Sequence, residues 1–206
     1  RSSAAMATTG GSTRTGGFQT TVPSTTGIAI GGRPLTTHAG HQASTVTLRT
    51  HGPGDLDWIV RRHAVLYAES HAWNETFAQM VREIVDDLEA TFDPEREHVW
   101  IAELDGRRIG AIALVEDAPE VALLRLFFVE PDARGQGVGR RLVEACLSRA
   151  RTVGYSAVSL DTVRSLEAAG HLYRQHGFTL VHEEPIDIWG PPDILESWRL
   201  DLLAKA

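Results

Sequence analysis

The 206-residue sequence has one cysteine, Cys146. No intrachain disulfide can therefore form, and its position on the apolar face of a predicted helix marks it as a small buried hydrophobe rather than a reactive thiol. No stretch approaches the roughly 18 consecutive apolar residues of a membrane span, and no apolar core of the signal-peptide kind stands near the N-terminus. The expected compartment is the cytoplasm, with no membrane partner. Acidic residues are missing from residues 1–45, where Arg1, Arg14 and Arg33 stand among many Ser, Thr and Gly. Such a segment has too little apolar surface to bury to offset its ordering. Residues 1–44 are therefore expected to be a flexible tail, part of it vector-derived because the chain starts with Arg1. His38-Ala-Gly-His41 belongs to that tail and reads as solvated rather than metal-binding. Basic residues are scarce in the remainder: 17 stand against 27 acids, a charge of about −10. That balance argues against a nucleic-acid partner, whose footprint is a basic patch, and favours cationic acceptors. No internal repeat is visible.

What the chain does have is an ordinary globular balance, 42% hydrophobic and 23% charged, enough for one domain over residues 45–206. TVTLRT (45–50) alternates as a strand does. Asp55 is a candidate cap for a helix over 56–69, and Asn74 for a second over 75–92, where Phe77, Val81, Ile84, Val85 and Leu88 make one stripe. WIAEL (100–104) and RIGAIALV (108–115) flank Asp105-Gly106, a strong two-residue hairpin signal. The run at 121–129 is too continuously apolar to have a wet face. A helix is predicted over 138–153 and stops at Gly154. A short buried strand follows at 157–162, then a helix near 165–176. A strand starts at Phe178, and a Pro-rich loop over 185–195 leads to a last strand at Trp198. The order is β-α-α-β-β-β-α-β-α-β-β.

The densest information lies in VALLRLFFVEPDARGQGVGRRLVEACLSRA (121–150). Arg134-Gly135-Gln136-Gly137-Val138-Gly139 puts small residues where a loop becomes a helix start. First-turn N–H groups there lack intrahelical partners, and with the helix dipole they form an anion site of the kind that holds phosphate. A P-loop requires Gly-x4-Gly-Lys-Ser/Thr, but Arg140-Arg141 follow the last glycine. A dinucleotide fold requires Gly-x-Gly-x-x-Gly directly after its first strand, with an acid ending the next. Asp161 ends the next strand, yet the glycines run Gly-x-Gly-x-Gly, five residues past Val129, after a hairpin meander.

Arg134-x-x-Gly137-x-Gly139 resembles the Q/R-x-x-G-x-G/A signature of the GNAT superfamily of acetyl-CoA-dependent N-acetyltransferases. ELDGRRIGAIAL resembles that family's central hairpin, LFFVEPDARGQGVGRRLVEACL its cofactor-binding strand, loop and helix, and AAGHLYRQHGF its late helix ending L-Y-x-x-x-G-F. The resemblance covers roughly residues 45–203. RRHAVLYAESHAWNETF and the EEP…WRLDL ending are most similar to the acetyltransferase half of MarR–GNAT fusion proteins.

The resemblance implies a mixed α/β GNAT-like fold, whose mostly antiparallel central sheet is flanked by helices and splays at the cofactor site. It implies acetyl-CoA as co-substrate, no metal, a primary amine of a small molecule or protein as acceptor, and a possible homodimer. The backbone of Phe127, Phe128 and Val129 would hold pantetheine. The amides of Gly135, Gln136, Gly137, Val138, Gly139 and Arg140 would hold pyrophosphate, with Arg134 and Arg140 adding charge. The glycines would be needed because a Cβ would hold the phosphate away. Tyr173, four residues before Gly177, occupies the family's general-acid position, against packing as its plain role. Asp161 stands where some members keep a Glu base, against a structural ion pair. Thr162-Val-Arg-Ser-Leu166 lacks the family's frequent Asn.

Arg125 interrupts VALLRLFFV, where an unpaired cation is costly. It is expected either to bind a substrate carboxylate or to pair with Asp161 or Glu116. His63, Tyr67 and His71 share one helix face, and Tyr67, His71 and Trp73 are candidates to line the acceptor site, against packing as the plainer role of Tyr67 and Trp73. Trp189-Gly-Pro-Pro is either a lid on that mouth or a stiff surface loop. A non-catalytic acyl-CoA-binding module and a nicotinamide-binding domain remain as alternatives.

Overall fold

The computed structural model describes residues 45–202. The expected tail over 1–44, with His38 and His41, lies outside the described residues. Seven strands and four helices follow in the predicted order: β1 (Val46–Thr50), α1 (Asp55–His71), α2 (Glu75–Thr91), β2 (His98–Leu104), β3 (Arg107–Ala118), β4 (Val121–Val129), α3 (Val138–Thr152), β5 (Ala157–Val163), α4 (Glu167–Gln175), β6 (Thr179–Ile186) and β7 (Asp193–Asp201). The strands form one sheet in the order β1-β2-β3-β4-β5-β7-β6. Every neighbouring pair is antiparallel except β4 and β5.

The β2–β3 hairpin turns on Asp105 (φ 51°) and Gly106 (φ 78°), the left-handed pair that a two-residue turn demands. β4 carries apolar side chains on both faces because both are covered. Phe128 packs under Trp58 and His63 of α1, with ring centroids 5.2 and 4.8 Å away. Phe127 faces α3 and α4 on the other side, 6.4 Å from the Tyr173 ring. Cys146 is buried in that second layer, and burial pushes its thiol up, as expected of an inert core residue.

Two local expectations change. Asp55 is not the cap of α1, because Gly54 holds that position in a left-handed conformation. The Asp55 carboxylate is buried and accepts from the Gly52 N–H (2.7 Å), Arg49 (2.5 Å) and Arg108 (3.0 Å). Burial works against its charge, but those donors outweigh it and hold the carboxyl down at about 2. The Pro-rich loop is also shorter than expected: β6 runs on through Pro185, which a sheet tolerates on an edge strand, and β7 begins at Asp193. Asn74 does cap α2, its side chain accepting from the Thr76 N–H at 3.0 Å.

Candidate active site

β4 and β5 pair over three positions only, Val121↔Ala157, Ala122↔Val158 and Leu123↔Ser159. Beyond these β5 stays with β7 as far as Val163↔Leu195, whereas β4 turns away with β3. The cause is local. The β3–β4 register shifts between Ala111 and Ala113, and Leu126 stands at φ 53°. Such a bulge bends the strand that carries it. The result is a fork, and the edge of β4 that faces β5 has no strand partner from 124 onward. Phe127, Phe128 and Val129 lie on that free stretch, with the Val129 carbonyl accepting from Arg134 Nε at 3.0 Å.

The glycine loop closes the fork's open end. After a single 3-10 turn (Pro131–Ala133), Gly135 and Gly137 adopt φ 75° and 78°. Gly137, which has no side chain to offer as a cap, then takes the N-cap position of α3, and first-turn N–H groups have no intrahelical partner. A Cβ at Gly135 or Gly137 would meet nothing within 4 Å. Within the chain itself, the left-handed backbone at these two positions is what favours glycine. Gly139 serves packing, since a Cβ there would come to 3.2 Å from the Phe127 ring.

Around the loop, Val138 is buried, and the Gln136 side chain donates to the Asp132 carbonyl at 3.0 Å. Arg140 pairs with Glu144 at 2.7 Å on the exposed face of α3. Arg134 is half-buried beneath the loop, within electrostatic reach of Tyr67 and Glu130, and burial lowers its pKa.

Two phenols meet the fork from opposite layers. Tyr173 on α4 and Tyr67 on α1 are both fully buried, and neither hydroxyl has a hydrogen-bond partner. They are close enough that charge on Tyr173 is felt at Tyr67. Burial pushes both phenols well up, so both keep their protons at neutral pH. A buried hydroxyl without a partner costs about 1–3 kcal/mol. Packing alone would be served as well by phenylalanine.

Asp161 and Arg125 lie on the α2 side of the fork. Burial raises the Asp161 carboxyl, partly offset by a hydrogen bond from Ser197 and by the charge of Arg125. The structural pair expected for Arg125 is not formed: Glu116 takes Arg96 instead, and Arg125 makes no ion pair among the described residues, its Nε buried without a partner. Tyr67, His71 and Trp73 form one aromatic cluster, in which Tyr67 and Trp73 are buried in the packing role also expected of them. Tyr67 stacks on Trp73 at 4.5 Å and 3°, and the His71 ring lies 5.8 Å from Tyr67. His63 is a core residue. Burial drops it to about 4, and its Nδ1 bonds to the Ile59 carbonyl at 2.9 Å. Among the described residues no group of His, Cys, Asp and Glu is arranged to hold a metal, and no helix is long and apolar enough to cross a membrane.

Residues 62–178 match the model of the acetyltransferase (GNAT) family. That span is more than half the chain and contains the fork, the loop and both phenols. The chain belongs to the GNAT family. It is 30% identical over 115 residues to a probable N-acetyltransferase camello of Xenopus tropicalis, covering 55% of this chain and 52% of that one. It is likewise 30% identical over 132 residues to N-acetyltransferase 8 of Homo sapiens, covering 61% and 58%. The chain thus spans little more than half the length of these curated relatives. Among solved GNAT folds, yncA of Salmonella typhimurium, a putative acetyltransferase seen with acetyl-CoA, superposes with a TM-score of 0.62 at 19% identity, covering 79% of this chain and 97% of that one. A GCN5-related N-acetyltransferase from Kribbella flavida gives 0.61 at 23% identity, covering 76% and 98%.

Two features beside the fork were missed or left open by the sequence. Glu130, at the root of the glycine loop, is gripped by Arg62 of α1 through two hydrogen bonds of 2.6 and 2.7 Å. Trp189 is not a lid but a wall. It is buried against Trp73 and Phe77, its carbonyl accepts from the Asn74 N–H at 2.7 Å, and Gly190 passes so close that a Cβ would sit 2.8 Å from the Ala72 carbonyl.

Proposed function

We propose that this GNAT protein is an acetyl-CoA-dependent N-acetyltransferase that transfers an acetyl group to a primary amine of a small molecule or protein by direct attack. The observation that carries this reading is the fork between β4 and β5, which opens straight onto the uncapped start of α3. A parted strand pair beside a row of free N–H groups suits a ligand with an amide-bearing arm and a phosphate head. Bound there, acetyl-CoA supplies an activated acetyl thioester.

The chain's own groups divide the work. The amides of Gly135 to Arg140 hold the pyrophosphate at the positive end of α3. The free edge of Phe127, Phe128 and Val129 holds the pantetheine arm, and backbone donors near Val129 polarise the acyl carbonyl. Tyr173, protonated and with no competing partner, delivers the proton that a departing thiolate requires. Asp161 takes the proton of the attacking ammonium, and the upward shift that burial gives its carboxyl strengthens it as a base. Arg134 stabilises the loop from below, and its electrostatic contact with Tyr67 links the loop to the acceptor side. Tyr67, His71 and Trp73, with Trp189 behind them, form the acceptor wall. A homodimer, and kinship with the acetyltransferase half of MarR–GNAT fusions, complete the proposal on the strength of resemblance, with the cytoplasm as the default compartment.

Calorimetric titration with acetyl-CoA, CoA and NAD, followed by thiol release across an amine panel, tests it. Binding of acetyl-CoA and CoA with amine-dependent thiol release is the expected result. CoA binding without thiol release on any amine would make the protein an acyl-CoA-binding module, and NAD binding alone would overturn the reading.

A further inference from the structure

Among the described residues three buried hydroxyls have no hydrogen-bond partner, those of Tyr67, Thr162 and Tyr173. All three belong to elements that border the fork. Thr162 stands on β5 beyond Leu123↔Ser159, the last pair that β5 makes with β4. Tyr173 comes from α4 and Tyr67 from α1. Tyr173 has a task in the transfer proposed above, whereas lining an acceptor site takes the Tyr67 ring and leaves its hydroxyl idle. A buried hydroxyl that bonds to nothing is costly to keep.

Tyr67 and Tyr173 lie in different helix layers, and an unbroken sheet would stand between them. Tyr67 nevertheless feels charge on Tyr173, because the parting of β4 from β5 removes the backbone that would separate the two. Tyr67 and Arg134 also feel each other, and Arg134 Nε donates to the Val129 carbonyl at 3.0 Å. The Tyr67 hydroxyl thus lies between the root of the glycine loop and Tyr173, along the course proposed for the pantetheine arm and its thioester.

The Tyr67 ring has little freedom. Trp73 stacks on it at 4.5 Å and 3°, His63 at 5.8 Å and 21°, and Phe77 meets it edge-on at 5.0 Å. Burial drops His63 to about 4, so that neighbour is uncharged at neutral pH. Burial also keeps the phenol protonated. Packing of the ring, rather than a hydrogen bond, sets where the hydroxyl points. A donor fixed in advance and kept from water is what stabilises charge developing on an oxygen during acyl transfer.

On the reading that this is an acetyltransferase, we propose that Tyr67 is a further catalytic residue, whose hydroxyl donates a hydrogen bond to the carbonyl oxygen of the acetyl thioester. As the amine nitrogen bonds to the acyl carbon, negative charge gathers on that oxygen. Tyr67 and the backbone donors near Val129 share it. The carbonyl then re-forms and the carbon–sulfur bond breaks. The ammonium proton goes to Asp161, the Tyr173 proton goes to the sulfur, and Tyr67 keeps its own throughout. Oxygen and sulfur diverge from one carbon, so a single phenol cannot serve both. Two phenols reaching one fork from opposite layers can.

The test is infrared spectroscopy of acetyl-CoA carrying an isotopic label at its acyl carbonyl, bound to the full chain, with calorimetry and thiol release on the same proteins. In the wild-type protein the thioester carbonyl is expected to absorb at lower frequency than in free acetyl-CoA. Tyr67→Phe is expected to lose part of that shift, and Tyr173→Phe to retain it. The melting temperature of Tyr67→Phe should hold or rise, because only an unpartnered hydroxyl is removed. Its kcat for thiol release should fall by roughly 10²- to 10³-fold, with affinity for CoA, which has no acyl group, unchanged. A wild-type carbonyl at the frequency of free acetyl-CoA overturns the inference without any variant. So does a Tyr67→Phe protein that keeps the full shift, or one that raises KM for the amine with kcat unchanged, which would make Tyr67 acceptor wall alone. Acetyl-CoA bound with a Tyr67-dependent shift but no thiol release with any amine keeps the hydrogen bond and overturns the transferase reading. No acetyl-CoA binding overturns both.

Discussion

Arg62 and Glu130 form a two-pronged ion pair, Nε to Oε1 at 2.6 Å and Nη2 to Oε2 at 2.7 Å, that ties α1 to the first residue after β4. Glu130 is buried and Arg62 half-buried. The pair fixes the point from which the glycine loop departs. Replacing Arg62 by Met leaves a buried carboxylate without its donor. The expected loss is roughly 1–3 kcal/mol of stability, read by urea denaturation, together with weaker acetyl-CoA binding by calorimetry. Unchanged acetyl-CoA affinity in a measurably destabilised variant would show that the clamp does not position the loop.

Tyr173→Phe removes a hydroxyl for which the fold provides no partner. Melting temperature is expected to hold or rise, because an unsatisfied buried group is lost. Thiol release at saturating acetyl-CoA is expected to fall by roughly 10²- to 10⁴-fold, the usual worth of a general acid. Unchanged turnover would reduce Tyr173 to a packing residue.

Asp161 must be ionised to accept a proton. Burial holds its carboxyl above the ordinary aspartate value, so the acid limb of kcat/KM should lie above that value, with activity rising as the group deprotonates. Asp161→Asn should lower the rate and flatten that limb. A variant with lower activity but the wild-type pH profile would assign Asp161 a structural role.

Asp55 governs acid stability. Its folded pKa, about 2, lies below that of an unfolded aspartate, near 3.8. Its contribution is therefore fully present above about pH 4 and is lost as pH falls from there toward 2. Asp55→Asn should reduce stability at neutral pH and remove this part of the decline, as followed by denaturation midpoints between pH 5 and 2.

Gly137→Ala forces an alanine to φ 78°, at an expected cost of about 1–2 kcal/mol, although no atom stands in the new methyl's way. Acetyl-CoA affinity should fall with it. Gly139→Ala should instead disturb the seat of α3 on Phe127, where the added Cβ approaches to 3.2 Å. Circular dichroism and calorimetry on the two variants separate the causes.

Elements were legible wherever one stretch carries its own signal. Asp105-Gly106 marks a turn by backbone preference, the stripe of α2 marks a helix by its period, and 121–129 marks a buried strand by lacking polar residues. The glycine loop was legible for the same reason. Asp55 was misread because its local cue, an acid before an apolar run, also fits a carboxylate buried by Arg49 and Arg108, which stand six residues before it and 53 after it in the chain. Trp189 could be read as a lid or as part of a stiff surface loop because nothing in its own segment reveals Trp73, Phe77 and the Ala72 carbonyl beneath it.

The sequence by itself determined the order of strands and helices, the glycine loop and the elements that carry Tyr173 and Asp161, since each depends on neighbours within a few residues. Only the tertiary structure decided which charges meet. It gave Glu116 to Arg96 and Glu130 to Arg62, left Arg125 without an ion pair among the described residues, and brought two unpartnered phenols to one fork. Those outcomes depend on where a bulge at Leu126 turns one strand from another, and the register between distant segments is a property of packing that no local stretch of residues contains.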